Sequence, residues 1–314
     1  MRSFFDRSQL SSTRYHLQVY REWRGLNSGT SDHSDTWYPT DIENLSPGLI
    51  FLDLKQTPSM TQQIATLPAV NGSLFEYSNV AKSTITLSFW LHFTDNESFI
   101  TQKTEFEGYW AQSALFHLIY GPHHGREAVC AFQKFSEWQM KSQHDALVSV
   151  TLVNPSGMWK STDYSSDIQD SKDEHWLSDL EWPENNAENM NWTLQTGMNH
   201  IIIPGDYMIK LSNPSQKVNI TVNGISGDVK ITNHTTNTWI GLFGSSTPAC
   251  VWHNLDCHNS SGDPINMDTD GTDLWLDPGE RINGNHIGTG VVNNIELTGA
   301  ASAQINTYFY FAGP

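Results

Sequence analysis

The sequence predicts a mainly β chain in two parts, an N-terminal sheet carrying one long α-helix and a C-terminal β-sandwich of short strands. Three observations lead there. Residues 84–93, TITLSFWLHF, alternate apolar and polar over ten positions. One stretch, TEFEGYWAQSALFHLIYGP, repeats its apolar residues at steps of three and four instead. From residue 191 onward the recognisable segments are short, alternating and separated by turn signals every 6 to 20 residues or so, the pattern of an all-β sandwich.

Residues 1 to about 82 carry turn signals, among them Pro39, Pro47-Gly48 and the hairpin dipeptide Asn71-Gly72, but no period that assigns elements. In the segment that follows, Ile85, Leu87, Phe89, Leu91 and Phe93 fall on one side of a strand. After the polar turn TDNES, a helix is expected over about 104–119. Phe106, Tyr109, Trp110, Ala114, Leu118 and Ile119 would form its apolar face, and Thr104 and Glu107 have capping-box spacing. Gly121-Pro122 would stop it. AVCAF at 128–132 and ALVSVTLV at 146–153 read as further strands, which completes an N-terminal domain over residues 1–158.

Residues 159–190 change character. Between 161 and 189 there are nine acidic residues, one lysine and no sustained period. This is read as an acidic, solvated connection with a short helix around Glu174–Leu180. The second domain, 191–314, then holds the expected strands IIIP, YMIKL, VNITVNG, VKITN, WIGLF, PINM, LWLDPGE, NIEL and AQINTYFYF.

Composition narrows the function classes. Hydrophobic residues make up 38% of the 314 and charged ones only 16%, with 12 Trp, 10 Tyr and 14 Phe. That balance is the reverse of a disordered chain, and it suggests surfaces covered by partners. The net charge of −17 and the lack of clustered Lys and Arg argue against phosphate contacts, so no specific nucleic-acid binding is expected. No apolar run reaches the length of a helical membrane span. The start MRSFFDRSQLSST lacks the apolar core of a signal peptide. The three cysteines, Cys130, Cys250 and Cys257, do not make a disulfide framework. Cys250 and Cys257 are read as unpaired thiols in a reducing cytosol, with pairing or metal ligation as the alternatives, which fits a protein made and assembled in a bacterial cytoplasm.

The search for chemistry assigns no catalytic, cofactor-binding or metal residues, and no cofactor is expected. DTDGTD, with Asp268, Asp270 and Asp273, opens like a calcium loop, but its twelfth position is Gly279 instead of a glutamate. It is read as a turn. His123 and His124 follow one another in a loop and would point apart, and no H-x-x-x-H falls on an expected helix. Trp192, Trp239, Trp252 and Trp275 could line a sugar-binding face, although core packing accounts for most Trp in a sandwich.

The order of elements, with several local strings, resembles the distal tail protein of siphophages infecting Gram-positive bacteria. The strings are TITLSFWLHF, TEFEGYWAQSALFHLIY, REAVCAF and VSVTLVNPSGMWKS in the first half. In the second they are IIIPGDYMIKLSNPSQKVNITVNG, VKITNHTTNTWIGLFG, DLWLDPGERI and NIELTGAASAQINTYFYF. The resemblance covers about residues 80 to 314. It departs from the family at Arg281, where an Asn is usual, and in longer connections at 244–262 and NGNHIGTGVVN.

The resemblance implies a barrel-like N-terminal ring domain with one long helix and a galectin-like C-terminal sandwich. It implies a non-enzymatic structural protein at the distal end of the virion tail, a homohexameric ring between the major tail tube protein and the tail-associated hub or lysin protein. Its outer domains can carry receptor-binding proteins. Two other classes stand beside it: a carbohydrate-binding module contacting host cell-wall polysaccharide, and a glycan hydrolase.

Overall fold

The computed structural model describes residues 16–23, 39–65, 74–112, 114–121, 124–182, 186–244, 247–259, 261–265, 271–279, 281–282, 285–286 and 291–314. The chain divides into two compact units, Met1–Trp159 with Gly313–Pro314, and Lys160–Ala312. The architecture is mainly β, as the patterning predicts, and the strands of its two main sheets pair antiparallel among the described residues.

The first unit is built on strands β1 (Leu17–Trp23), β2 (Thr40–Asp41), β3 (Leu49–Ala65), β4 (Leu74–His92), β5 (Ala114–Tyr120), β6 (Arg126–Phe135), β7 (Gln139–Met140) and β8 (Asp145–Asn154). Their order is β2-β1-β5-β6-β8-β4-β3, with β7 on β8. The ten-residue alternation lies in β4 and just past its end, and it does what period two requires. Ile85, Leu87, Phe89 and Leu91 are buried, Phe93 follows them inward, and Thr84, Thr86, Ser88 and Trp90 face the other way. The strands expected at 128–132 and 146–153 lie within β6 and β8.

The helix is displaced from its expected position. α1 spans Asn96–Trp110, eight residues ahead of the expected start, and residues 114–120 form β5 instead of its second half. The cap is Asp95, whose carboxylate accepts from Ser98 N at 2.8 Å while Ser98 Oγ accepts from Asp95 N at 3.1 Å. Thr104 caps nothing; its hydroxyl donates to Ile100 O one turn back. The misreading has a simple cause. The step from Ala114 to Leu118 is four residues, which fits a helical turn and also two strand repeats. Pairing with β1 and β6 decides for the strand and buries Ala114, Phe116 and Leu118 together. Phe106 and Trp110 do face the sheet as expected, packing on Phe89 with centroids 5.1 and 6.3 Å away. Trp110 also meets Phe116 at 4.9 Å.

β3 and β4 outrun their neighbours. β4 pairs with β8 only from Ser83 to His92, but with β3 from Leu91 back to Leu74. The pairs from Ser59↔Ala81 to Ala65↔Leu74 therefore continue as a two-stranded ribbon past the last β4–β8 pair.

The second unit begins within β9 (Trp159–Ser161) and includes helices α2 (Ser165–Ser171) and α3 (His175–Asp179). The expected acidic connection is thus not a connection. Residues 160–190 belong to the second unit, and Ile168, Trp176, Leu180, Trp182, Ala187 and Met190 are buried in it. Ser165 Oγ donates to Ile305 O at 2.9 Å, and Trp182 packs on Trp192 at 5.9 Å. The carboxylates made the stretch look solvated, but Asp163, Asp167, Asp170, Asp173 and Glu174 simply occupy its outer side. The short helix expected near 174–180 is α3.

The remaining strands are β10 (Thr193–Ile202), β11 (Ile209–Lys210), β12 (Val218–Asn233), β13 (Thr238–Leu242), β14 (Ala249–His253), β15 (Asp256–Asn259), β16 (Gly271–Asp273), β17 (Trp275–Leu276), β18 (Arg281–Ile282), β19 (Asn285–His286), β20 (Val292–Thr307) and β21 (Tyr310–Phe311). The main sheet runs β10-β20-β12-β13-β16, with β14 on β12 and β15 on β14; β11–β17 and β18–β19 are separate pairs. VNITVNG and VKITN, expected as two strands, are the two ends of β12. NIEL and the first half of AQINTYFYF are both in β20. The β12–β20 register shifts between Ile225 and Lys230. There Gly299 adopts φ +76°, and a Cβ on it would lie 1.9 Å from Asp228 O. Only glycine permits that approach.

Candidate functional site

Among the described residues, the motifs singled out in the sequence do not assemble into a site. Asp268, Asp270 and His123 lie outside the described residues, and His124 is exposed. Asp273 is buried and fully engaged. Its carboxylate accepts from Ser212 N at 3.0 Å, Leu274 N at 2.8 Å and Trp275 Nε1 at 2.7 Å, and also from the Ser212 hydroxyl. It ties the strand end to the 211–216 turn, which accounts for a carboxylate there without a cation. Among the described residues no group of three or more His, Cys, Asp or Glu is placed to hold a metal ion.

The four candidate tryptophans divide into two pairs. Trp192 and Trp252 are core residues; Trp192 Nε1 donates to Ile202 O at 2.8 Å, and its ring meets Phe309 at 4.9 Å. Trp239 and Trp275 are half-buried, and each carries a lysine over its ring, Lys230 at 4.4 Å and Lys210 at 4.3 Å. Those ammonium groups cover a ring face that a sugar would stack on.

An open hollow of about 440 Å³ lies beside the start of α1, lined by Pro47, Asp95, Glu97, Ser98, Thr101, Gln102 and Glu105. Its serine belongs to the helix cap, where Ser98 Oγ donates to Asp95 O at 2.9 Å.

Two clusters escaped the sequence reading. On β1, β5 and β6, Tyr20 stacks on His117 at 4.3 Å and its hydroxyl donates to the buried Glu127. His117 Nε2 lies 3.2 Å from Glu22 Oε2, and Nδ1 lies 3.1 Å from Glu127 Oε2 without the alignment of a hydrogen bond. These residues are close only because β1 runs antiparallel to β5, so no local spacing could reveal them. The second cluster is the edge hairpin β14–β15. Its turn residue Asn254 (φ +55°) donates from one amide nitrogen to Leu211 O, Asn213 O and Gln216 O, at 2.9, 3.1 and 2.9 Å. Cys250 and Cys257 lie on the buried side of that hairpin.

Among the described residues the β3–β4 ribbon has no third strand paired to it from Ser59↔Ala81 to Ala65↔Leu74. An isolated two-stranded ribbon is marginal in water, and its unpaired edges are templates for association.

No protein-family model matches the chain, and no curated protein matches its sequence. Its structure does have counterparts. The Dit protein of phage SPP1, described as a paradigm of the hub adsorption apparatus in phages infecting Gram-positive bacteria, superposes with a TM-score of 0.57 at 8% identity. That match covers 94% of this chain and 99% of the SPP1 chain. Chains of the phage p2 baseplate in its activated conformation, with Sr and with Ca, cover 94% of this chain and 97% and 98% of their own, at 8% identity. Their TM-scores are 0.33 and 0.34. The SPP1 match sets the fold: this chain folds as a distal tail protein does, across nearly its whole length.

Proposed function

We propose that this protein is a structural component of a phage tail tip, a homohexameric ring at the distal end of the tail. The first unit makes the ring and binds the tail tube above and the tail-associated hub protein below. The second unit faces outward as a platform for receptor-binding proteins. The observation that carries this reading is the fold correspondence with SPP1 Dit over both units at once. A shared sandwich alone would say little, because folds host many functions. Correspondence of the whole two-unit chain is more demanding.

The β3–β4 ribbon supports the same reading. It offers a long backbone edge of the kind that repeated head-to-tail contacts use to close a ring. The −17 charge suits a protein that must not hold DNA by its phosphates. Carbohydrate binding by the second unit is the weaker reading, since two of its four candidate tryptophans are core and the other two lie under lysines.

The test is size determination by light scattering of the purified protein, alone and mixed with its tail-tube and hub neighbours. A hexamer, alone or in the mixtures, is expected. Monomer in every mixture would overturn the proposal.

A further inference from the structure

The β14–β15 hairpin holds two thiols in one place. Its register pairs Trp252 with Cys257 and Cys250 with Asn259, so Cys250 and Cys257 lie diagonally across adjacent strands on the same face. Both are buried, at 0% and 6% exposure, and both are free thiols. The two side chains lie close enough for each thiol to displace the pKa of the other. The hairpin around them is braced. Asn254 fastens its turn to three carbonyls of the 211–216 segment, and Asn254 N donates to Val218 O at 2.8 Å. On its open side β15 meets only the single bridge from His258 to Pro264 among the described residues.

We propose that Cys250 and Cys257 are a redox pair that closes to an intramolecular disulfide when the protein meets a small-molecule disulfide oxidant. The two thiols have distinct roles. Cys257 is the more exposed of the two, at 6% against 0%, so an oxidant reaches it first. Interaction with Cys250 also lowers the Cys257 pKa from its ordinary value, against the opposing effect of burial.

Its thiolate attacks one sulfur of the oxidant and expels the other as a thiolate, leaving a mixed disulfide on Cys257. Cys250 then gives up its proton to the released thiolate or to water, and its sulfur attacks Cys257. The Cys250–Cys257 bond forms and the second small thiol leaves. Two protein thiols are oxidised and one oxidant disulfide is reduced to two thiols. The third cysteine cannot take part: Cys130 is fully buried in the first unit, and burial pushes its thiol well up. The device would leave the hairpin free in a reducing cytoplasm and lock it in an oxidising medium.

The experiment uses the reduced full-length protein and excess oxidised glutathione under native conditions. Quenching in acid and alkylation in denaturant then allow intact mass and peptide mapping. Three alkylated cysteines are expected before oxidation and one, Cys130, after. The oxidised chain should be lighter by about 2 Da before alkylation and should yield a peptide linking Cys250 to Cys257. Cys250→Ser should stop at a glutathione adduct on Cys257. Three alkylations persisting after prolonged oxidation would overturn the proposal, as would wild-type thiols lost only as glutathione adducts or as links between chains. An adduct that forms as fast on Cys250 in Cys257→Ser would overturn the order of attack.

Discussion

Replacing Trp110 separates packing from polarity at the centre of the first unit. Its side chain is 0% exposed and touches Phe89, Phe106, Tyr109 and Phe116, with centroids between 4.9 and 6.4 Å. Emptying a site of that kind costs about 3–5 kcal/mol in Trp→Ala substitutions. The indole Nε1, however, is buried without a hydrogen-bond partner among the described residues, and a stranded donor carries a penalty of about 1–3 kcal/mol. Trp110→Phe removes that donor while keeping an aromatic ring against Phe89 and Phe116. Its lost packing is largely offset, and a net change within about 1 kcal/mol is expected. Calorimetry of the full chain is the assay. At roughly 2–4 °C per kcal/mol for a unit of this size, Trp110→Ala should lower the transition of the first unit by about 10 °C. Trp110→Phe should move it by only a few degrees. The reasoning fails if Trp110→Ala melts with the wild type, or if Trp110→Phe costs as much as Trp110→Ala.

Three further outcomes are expected. Gly299→Ala should destabilise the second unit by at least the roughly 1–3 kcal/mol of a left-handed non-glycine residue, because its Cβ would also press on Asp228 O; an unchanged denaturation midpoint would rule this out. A fragment starting at residue 160 should melt cooperatively and one starting at 191 should not, since the latter lacks Ile168, Trp176, Leu180 and Trp182; equal circular-dichroism melts would show that α2 and α3 are dispensable. Asp145 resists being charged through burial, yet bonds from Ser142, His92 and Trp90 outweigh this and hold its carboxyl below the usual value. Its stabilising effect is therefore complete above the unfolded pKa near 4 and disappears as pH falls through the folded one. Asp145→Asn should cost about 1 kcal/mol or less at pH 7 and nothing at low pH, and a gap that widens on acidification would contradict the assignment.

What the sequence revealed depended on whether a pattern was local. The alternation in Ile85–Phe93 needs no partner to be recognised, and the strand is there. Ala114–Leu118 needed knowledge of its neighbours, because a four-residue step fits both regular structures, and the strand came out as helix. The acidic stretch hid its apolar anchors. Ile168, Trp176 and Trp182 are spaced too irregularly to make a period, and only the fold buries all three. β3 and β14 went unread because their apolar runs, Leu49–Leu52 and Ala249–Trp252, do not alternate and are only four residues long. The Tyr20–His117–Glu127 cluster and the placing of Cys250 and Cys257 on one face arise from strand register, which a single sequence does not display. The ordered series of short strands was legible as a whole even where single boundaries were not.

The long strands of the second unit have a mechanical consequence. β12 carries β14 and β15 on its Val218–Asn223 end and β13 on its Val229–Asn233 end, and β20 accompanies it along both. Each strand passes through the register shift without a break in the chain, so neither end can open without dragging on the other. Amide hydrogen exchange across β12 and β20 should therefore report one cooperative foldon, with protection on either side of Gly224 and Gly299 lost at the same free energy. A load applied to this unit would be shared across the whole sheet instead of peeling it from one end.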